Sequence, residues 1–77
     1  MRMALKLFRI KNGLSQGKIA EKLGYHRNQY AKIENGRQGV TLKFLEALCE
    51  VFGMTLEEAK ELTKRDEEQA ENDRAAR

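Results

Sequence analysis

The stretch from Leu14 to Gly36, LSQGKIAEKLGYHRNQYAKIENG, constrains this chain more than any other, because it holds two short amphipathic helix patterns hinged at Gly24. Ser15 is a good cap for the first helix, and Ile19, Ala20 and Leu23 fall on one face, the arrangement an amphipathic helix needs for packing. Gly24 then lets the backbone turn sharply. In the second pattern Tyr30 and Ile33 lie three apart on the stripe expected to be buried. Helical rotation sends Asn28, Ala31 and Lys32 to the opposite side, and Arg27 and Gln29 flank that face. The expected unit is a helix-turn-helix.

The side chains on that polar face suit the major groove of duplex DNA. Guanine offers two acceptors there, which match Arg or Lys; adenine offers an acceptor beside a donor, which match Asn or Gln. The plainer reading of the same residues is a solvated helix surface. A solvated surface rarely needs both amides and an arginine, and the hinge points the same way.

Five helical patterns run along the chain, with no strand-like alternation and no proline, so the expected class is all-α. Residues 2 to 11 form the first, with Leu5 and Phe8 facing the core and Asn12-Gly13 as a stop. The fourth is capped at Thr41 and closed by Gly53, and its expected buried stripe is Leu42, Leu45, Leu48, Cys49 and Phe52. Thr55 and Glu58 are spaced as a capping box for the fifth, which runs at least to Leu62. Phe44, Ala47 and Val51 form a second apolar set offset from that stripe, which predicts exposed apolar surface and hence a homodimer interface. The expected division is a folded unit over residues 1 to 63 and a charged tail over 64 to 77 that extends helix five, serves as a linker or is disordered.

At 77 residues there is room for one small domain, able to bury about 60% of its unfolded surface. The net charge of +3 hides an asymmetry. Residues 1 to 56 carry ten Lys or Arg against four Glu, and residues 57 to 77 reverse the balance to −3. The folded part is the basic part, which suits a polyanionic partner. No apolar run approaches the roughly 20 residues of a membrane span, and MRMALKLFRI is too charged for a signal peptide, so a cytoplasmic, nucleoid-associated protein without a membrane partner is expected. Cys49 reads as a small buried hydrophobe. With one His and one Cys, no metal site or cofactor is expected; His26 is placed at the cap of the second hinge helix, where its ring can meet a phosphate. No nucleophile and base can be paired, so catalytic activity is not expected.

Phe8-Arg9 followed by Gly13-Leu14-Ser15-Gln16, then Ile19-Ala20, Leu23-Gly24 and Ile33-Glu34-Asn35-Gly36, resemble the Cro/CI-type (Xre-like) helix-turn-helix repressors over residues 5 to 62. Within that family, YHRNQYAKIENGRQGVTL looks closest to the controller proteins of restriction-modification systems. The resemblance implies a compact five-helix, lambda-repressor-like domain that binds double-stranded DNA. It implies a regulator, in the first instance a repressor acting as a homodimer on a pseudo-palindromic operator. The alternatives are a controller that both activates and represses, or an antitoxin whose other partner is a toxin protein. By the same resemblance Arg27, Asn28 and Lys32 read base edges, while Gln16, Lys18, Gln29, Asn35 and Arg37, together with His26, touch the DNA backbone. Arg9 and Glu34 match an internal ion pair. Four positions depart from the family pattern: Gly17 stands where Glu or Ala is usual, Tyr30 where an aliphatic is common, Val40 where many members have proline, and Ala59 where a large apolar residue would dock helix five.

Overall fold

The computed structural model describes residues 1 to 67, and among them the chain is helical with no strand. Its five helices are α1 (Met3–Lys11), α2 (Gln16–Leu23), α3 (Arg27–Glu34), α4 (Leu42–Phe52) and α5 (Leu56–Leu62). The expected tail lies, from residue 68 onward, outside the described residues.

Local chemistry sets most of these boundaries. Ser15 Oγ accepts from the Lys18 amide at 3.1 Å, and Thr41 Oγ1 accepts from the Phe44 amide at 3.2 Å, satisfying amides that each helix start would otherwise leave orphaned. On α5 the exchange is reciprocal: Thr55 Oγ1 accepts from Glu58 N at 3.1 Å, and Glu58 Oε1 accepts from Thr55 N at 3.0 Å. Gly24, at φ 80°, ends α2 in the left-handed region where a side chain would be strained.

Helix α1 has no local cap. Its N-cap residue is Arg2, whose side chain makes no capping bond, and the Met3 amide is satisfied instead by Asp66 Oδ1 at 3.1 Å. The return is mutual, since the Asp66 amide donates to the Met1 carbonyl at 2.9 Å. Arg2 itself is 4% exposed. Its guanidinium donates to the carbonyls of Thr63, Ile33 and Gln38, and its amide donates to the Glu34 carbonyl. One arginine therefore closes the C-terminal ends of α3 and α5, where carbonyls lack helical partners and a cation is favoured.

The core draws on every helix: Leu5 from α1, Ile19, Ala20 and Leu23 from α2, Tyr30 and Ile33 from α3, Phe44 and Leu48 from α4, and Ala59 from α5. Burying each of the larger aliphatic or aromatic side chains is worth roughly 1.5–3 kcal/mol relative to leaving it exposed. Phe8 and Phe52 meet edge to face with centroids 5.0 Å apart, joining α1 to α4. Ala59 is fully buried, so α5 docks by close approach of a small residue rather than by a bulky anchor.

Helix α4 departs from the sequence expectation. Phe44, expected on an exposed dimer face, is 0% exposed and packs against the rings of Tyr25 and Tyr30, at centroid distances of 5.4 and 6.4 Å. Phe44 and Leu48, four residues apart, define the inward face. Leu42, expected in the buried stripe, is 59% exposed. Ala47 packs against the core's edge, and of the three proposed interface residues Val51 alone is exposed. The apolar residues of α4 nearly surround it, and the two tyrosine rings decide which side turns inward.

Candidate nucleic-acid interface

Helices α2 and α3 pack through Ile19, Ala20, Leu23, Tyr30 and Ile33, and the turn between them is held by the Tyr25 amide donating to the Ala20 carbonyl at 2.8 Å. With Tyr30 and Ile33 inward, Arg27, Asn28, Gln29 and Lys32 are all exposed along α3. His26 is the N-cap of α3 and is exposed; its amide donates to Gln29 Oε1 at 3.0 Å. That bond occupies the Gln29 carbonyl oxygen and leaves its amide nitrogen to donate elsewhere. Asn35 and Arg37 are exposed just beyond α3, where the Arg37 amide closes the helix on the Lys32 carbonyl at 2.9 Å.

Gln16 and Lys18 stand in the first turn of α2, Lys18 exposed and Gln16 half-buried. Orphan amides and the helix dipole make such a terminus receptive to phosphate. Beside it, Arg9, Ser15, Gln16, Gly17 and Arg27 line a depression of about 480 Å³. The structure thus collects the α2 start, the whole exposed face of α3 and the loop after it, whereas Phe44 of the proposed interface lies in the core.

The platform beneath α3 is an ion pair. Arg9 Nε donates to Glu34 Oε2 at 2.9 Å and Nη2 to Oε1 at 3.1 Å, while Nη1 donates to the Leu14 carbonyl at 2.8 Å. Burial, the largest influence, would raise the Glu34 pKa, but the Arg9 guanidinium together with the neighbouring Tyr30 hydroxyl and Gln16 outweighs it and holds the carboxyl below the usual glutamate range. The fully buried Tyr30 hydroxyl lies beside this pair without reaching hydrogen-bond geometry. Burial first, and the Glu34 carboxylate second, push its pKa far up, so it stays neutral. Gln16 also faces Glu34, which links the platform to the α2 start.

Sequence reasoning missed Arg2 and Asp66. Their partners are backbone groups and a helix start 31 to 65 residues away, and no local spacing marks such contacts.

A five-helix core with an exposed, cationic and amide-bearing second hinge helix defines a helix-turn-helix protein of the DNA-binding, transcription-regulating class. A family model described as a helix-turn-helix domain matches residues 1–62, and the chain belongs to that family, in its Xre-like branch. It is 40% identical over 53 residues to Control protein C.MunI of Mycoplasma sp., across 69% of this chain and 72% of that protein. No solved structure matches the chain. Among the described residues no helix is long and apolar enough to cross a membrane.

Proposed function

We propose that this protein is a sequence-specific regulator that represses transcription by occupying a pseudo-palindromic operator as a homodimer. The observation that carries the reading is the exposure of Arg27, Asn28 and Lys32 on one face of a helix whose other face is anchored by Tyr30, Ile33 and the Glu34–Arg9 pair. Those three residues read base edges; Gln16, Lys18, His26, Gln29, Asn35 and Arg37 surround them and grip phosphates. The dimer brings two such helices about 34 Å apart. Apolar surface for it remains on α4 and the start of α5, where Val51 is 42% and Leu56 39% exposed. The kinship with a control protein favours a second reading, a restriction-modification controller that both activates and represses.

Selection of bound sequences from random duplex DNA, followed by titration, tests the first reading. Arg27→Ala and Asn28→Ala each cost about 1 to 3 kcal/mol on the selected site and relax preference at one base pair. Arg37→Ala weakens binding to all sequences alike and lowers the salt slope by about one unit. Equal losses on selected and random DNA for the α3 variants would overturn base reading. Sedimentation equilibrium of wild type and Val51→Asp tests the dimer: a wild-type monomer at every concentration, with and without DNA, removes it.

A further inference from the structure

The loop that carries Asn35 and Arg37 is held from two sides. On one side it rests on α3: the Arg37 and Gln38 amides both donate to the Lys32 carbonyl, at 2.9 and 3.2 Å. On the other side it rests on Arg2. The Arg2 amide donates to the Glu34 carbonyl at 2.8 Å, and one guanidinium nitrogen, Nη1, donates to the Ile33 carbonyl before the loop and to the Gln38 carbonyl after it, the latter at 2.9 Å. These bonds bracket Asn35, Gly36 and Arg37 at both ends. The lead-in to α1 also closes on the middle, since a Cβ built on Gly36 would stand 2.8 Å from the Met1 backbone nitrogen. We propose that Arg2 is a positioning residue for DNA binding: it fixes the backbone of the 35–37 loop in the form from which Asn35 and Arg37 meet phosphates. The inference rests on the reading of those two residues as backbone contacts and adds the residue that holds their loop.

Arg2 is itself anchored. Its Nε donates to the Thr63 carbonyl at 2.7 Å, so the guanidinium is tied to the end of α5 as well as to the loop. A planar fork with donors at fixed angles meets several carbonyls at once, and an ammonium on a flexible stem holds such partners less rigidly. At 4% exposure the guanidinium does not itself touch a phosphate, whereas Asn35 and Arg37 are exposed. Its influence on DNA therefore passes through the loop. A loop whose backbone is already ordered has less conformational freedom to lose when its side chains engage a partner, so its contacts yield more affinity.

The experiment titrates wild type, Arg2→Met, Arg2→Lys, Arg37→Ala, the double variant Arg2→Met/Arg37→Ala and Phe8→Leu with the selected operator and with random duplex across a range of salt, at a temperature where circular dichroism shows each one folded. Arg2→Met weakens binding to every sequence roughly three- to tenfold and leaves base-pair preference intact. Its salt slope falls by about one unit, as for Arg37→Ala, and the double variant binds within about twofold of Arg37→Ala alone. Arg2→Lys keeps the charge without the fork and falls between Arg2→Met and wild type. Phe8→Leu loosens α1 away from these carbonyls and keeps the wild-type slope. Hydrogen exchange gives the second readout: the Arg37 and Gln38 amides exchange faster in Arg2→Met than in Phe8→Leu, while the Tyr25 amide at the hinge keeps its protection. If Arg2→Met does not fold, Arg2→Lys and its double with Arg37→Ala take its place in each comparison. Losses that multiply in the double variant, with unchanged exchange at Arg37 and Gln38, overturn the inference and leave only the removal of one charge. A wild-type affinity and slope in Arg2→Met overturn it too and make Arg2 purely structural. If Arg37→Ala changes neither affinity nor slope, the reading of Arg37 as a phosphate contact falls, while faster exchange at Arg37 and Gln38 still upholds the hold of Arg2 on the loop.

Discussion

The seam between α1 and α3 and the outer surface of α5 each carry an ion pair of the same length, Arg9–Glu34 and Lys64–Glu61, both closing at 2.9 Å. Their surroundings differ. The Arg9 and Glu34 side chains are 12% and 2% exposed, against 32% and 67% for Lys64 and Glu61. In water the second pair gains little and competes with side-chain entropy, while the first sits in a low dielectric where every unmet charge is costly. Distance alone says nothing about which pair the fold depends on. The buried one also joins two helices, is bidentate and takes a third bond to Leu14, whereas the exposed one spans a single turn.

The widest separation between the two regions is expected on removing one partner. Glu34→Ala strands the Arg9 guanidinium and lowers unfolding free energy by about 3–5 kcal/mol, measured by urea denaturation. A loss under about 1 kcal/mol would place this pair in the same category as the surface one. Acid sharpens the contrast next. Because the folded Glu34 pKa lies below its unfolded value, its stabilisation is complete above the usual glutamate value of about 4.3 and disappears as pH falls through the lower folded value. Thermal melts of wild type and Glu34→Gln between neutral pH and pH 2 should converge in acid; parallel curves would dissociate Glu34 from the acid limb.

Tyr30→Phe probes what lies beside the buried pair. The hydroxyl is desolvated without a hydrogen bond, so its removal should leave stability unchanged or raise it by up to about 1 kcal/mol. A loss above about 1 kcal/mol would mean the hydroxyl supports the Glu34 carboxylate after all. The smallest effect belongs to the surface pair: Lys64→Ala should change stability by less than about 0.5 kcal/mol, and less still in high salt.

Much of the architecture was legible because it is written in local chemistry. Ser15, Thr41 and Thr55 cap the helices that the sequence suggests they cap, and Gly24 and Gly53 terminate α2 and α4 in left-handed conformations. The inward placement of Tyr30 and Ile33, and with it the outward placement of Arg27, Asn28 and Lys32, follows from helical period alone. Helix α4 was harder. Apolar residues nearly surround it, so periodicity supplies two plausible inner faces, and the choice between Leu42 and Phe44 is made by Tyr25 and Tyr30 on other segments. The role of Arg2 was not legible at all, since a charged residue near a terminus ordinarily lies in water and its acceptors here are remote carbonyls.

The clasp formed by Arg2 and Asp66 has a consequence in time. The ribosome makes Glu34, the last residue of α3, roughly 30 residues before it makes Asp66, and at about 5–20 residues per second the interval is about 2 to 6 seconds. Throughout it the nascent α3 has its Arg9 tether available but not the Thr63 carbonyl or the Asp66 carboxylate that fix Arg2 and the start of α1. Helix α3 is therefore among the earlier parts of the chain to be synthesised and among the last to be locked, and a chain halted in translation before residue 63 would carry the exposed α3 face without its fastening.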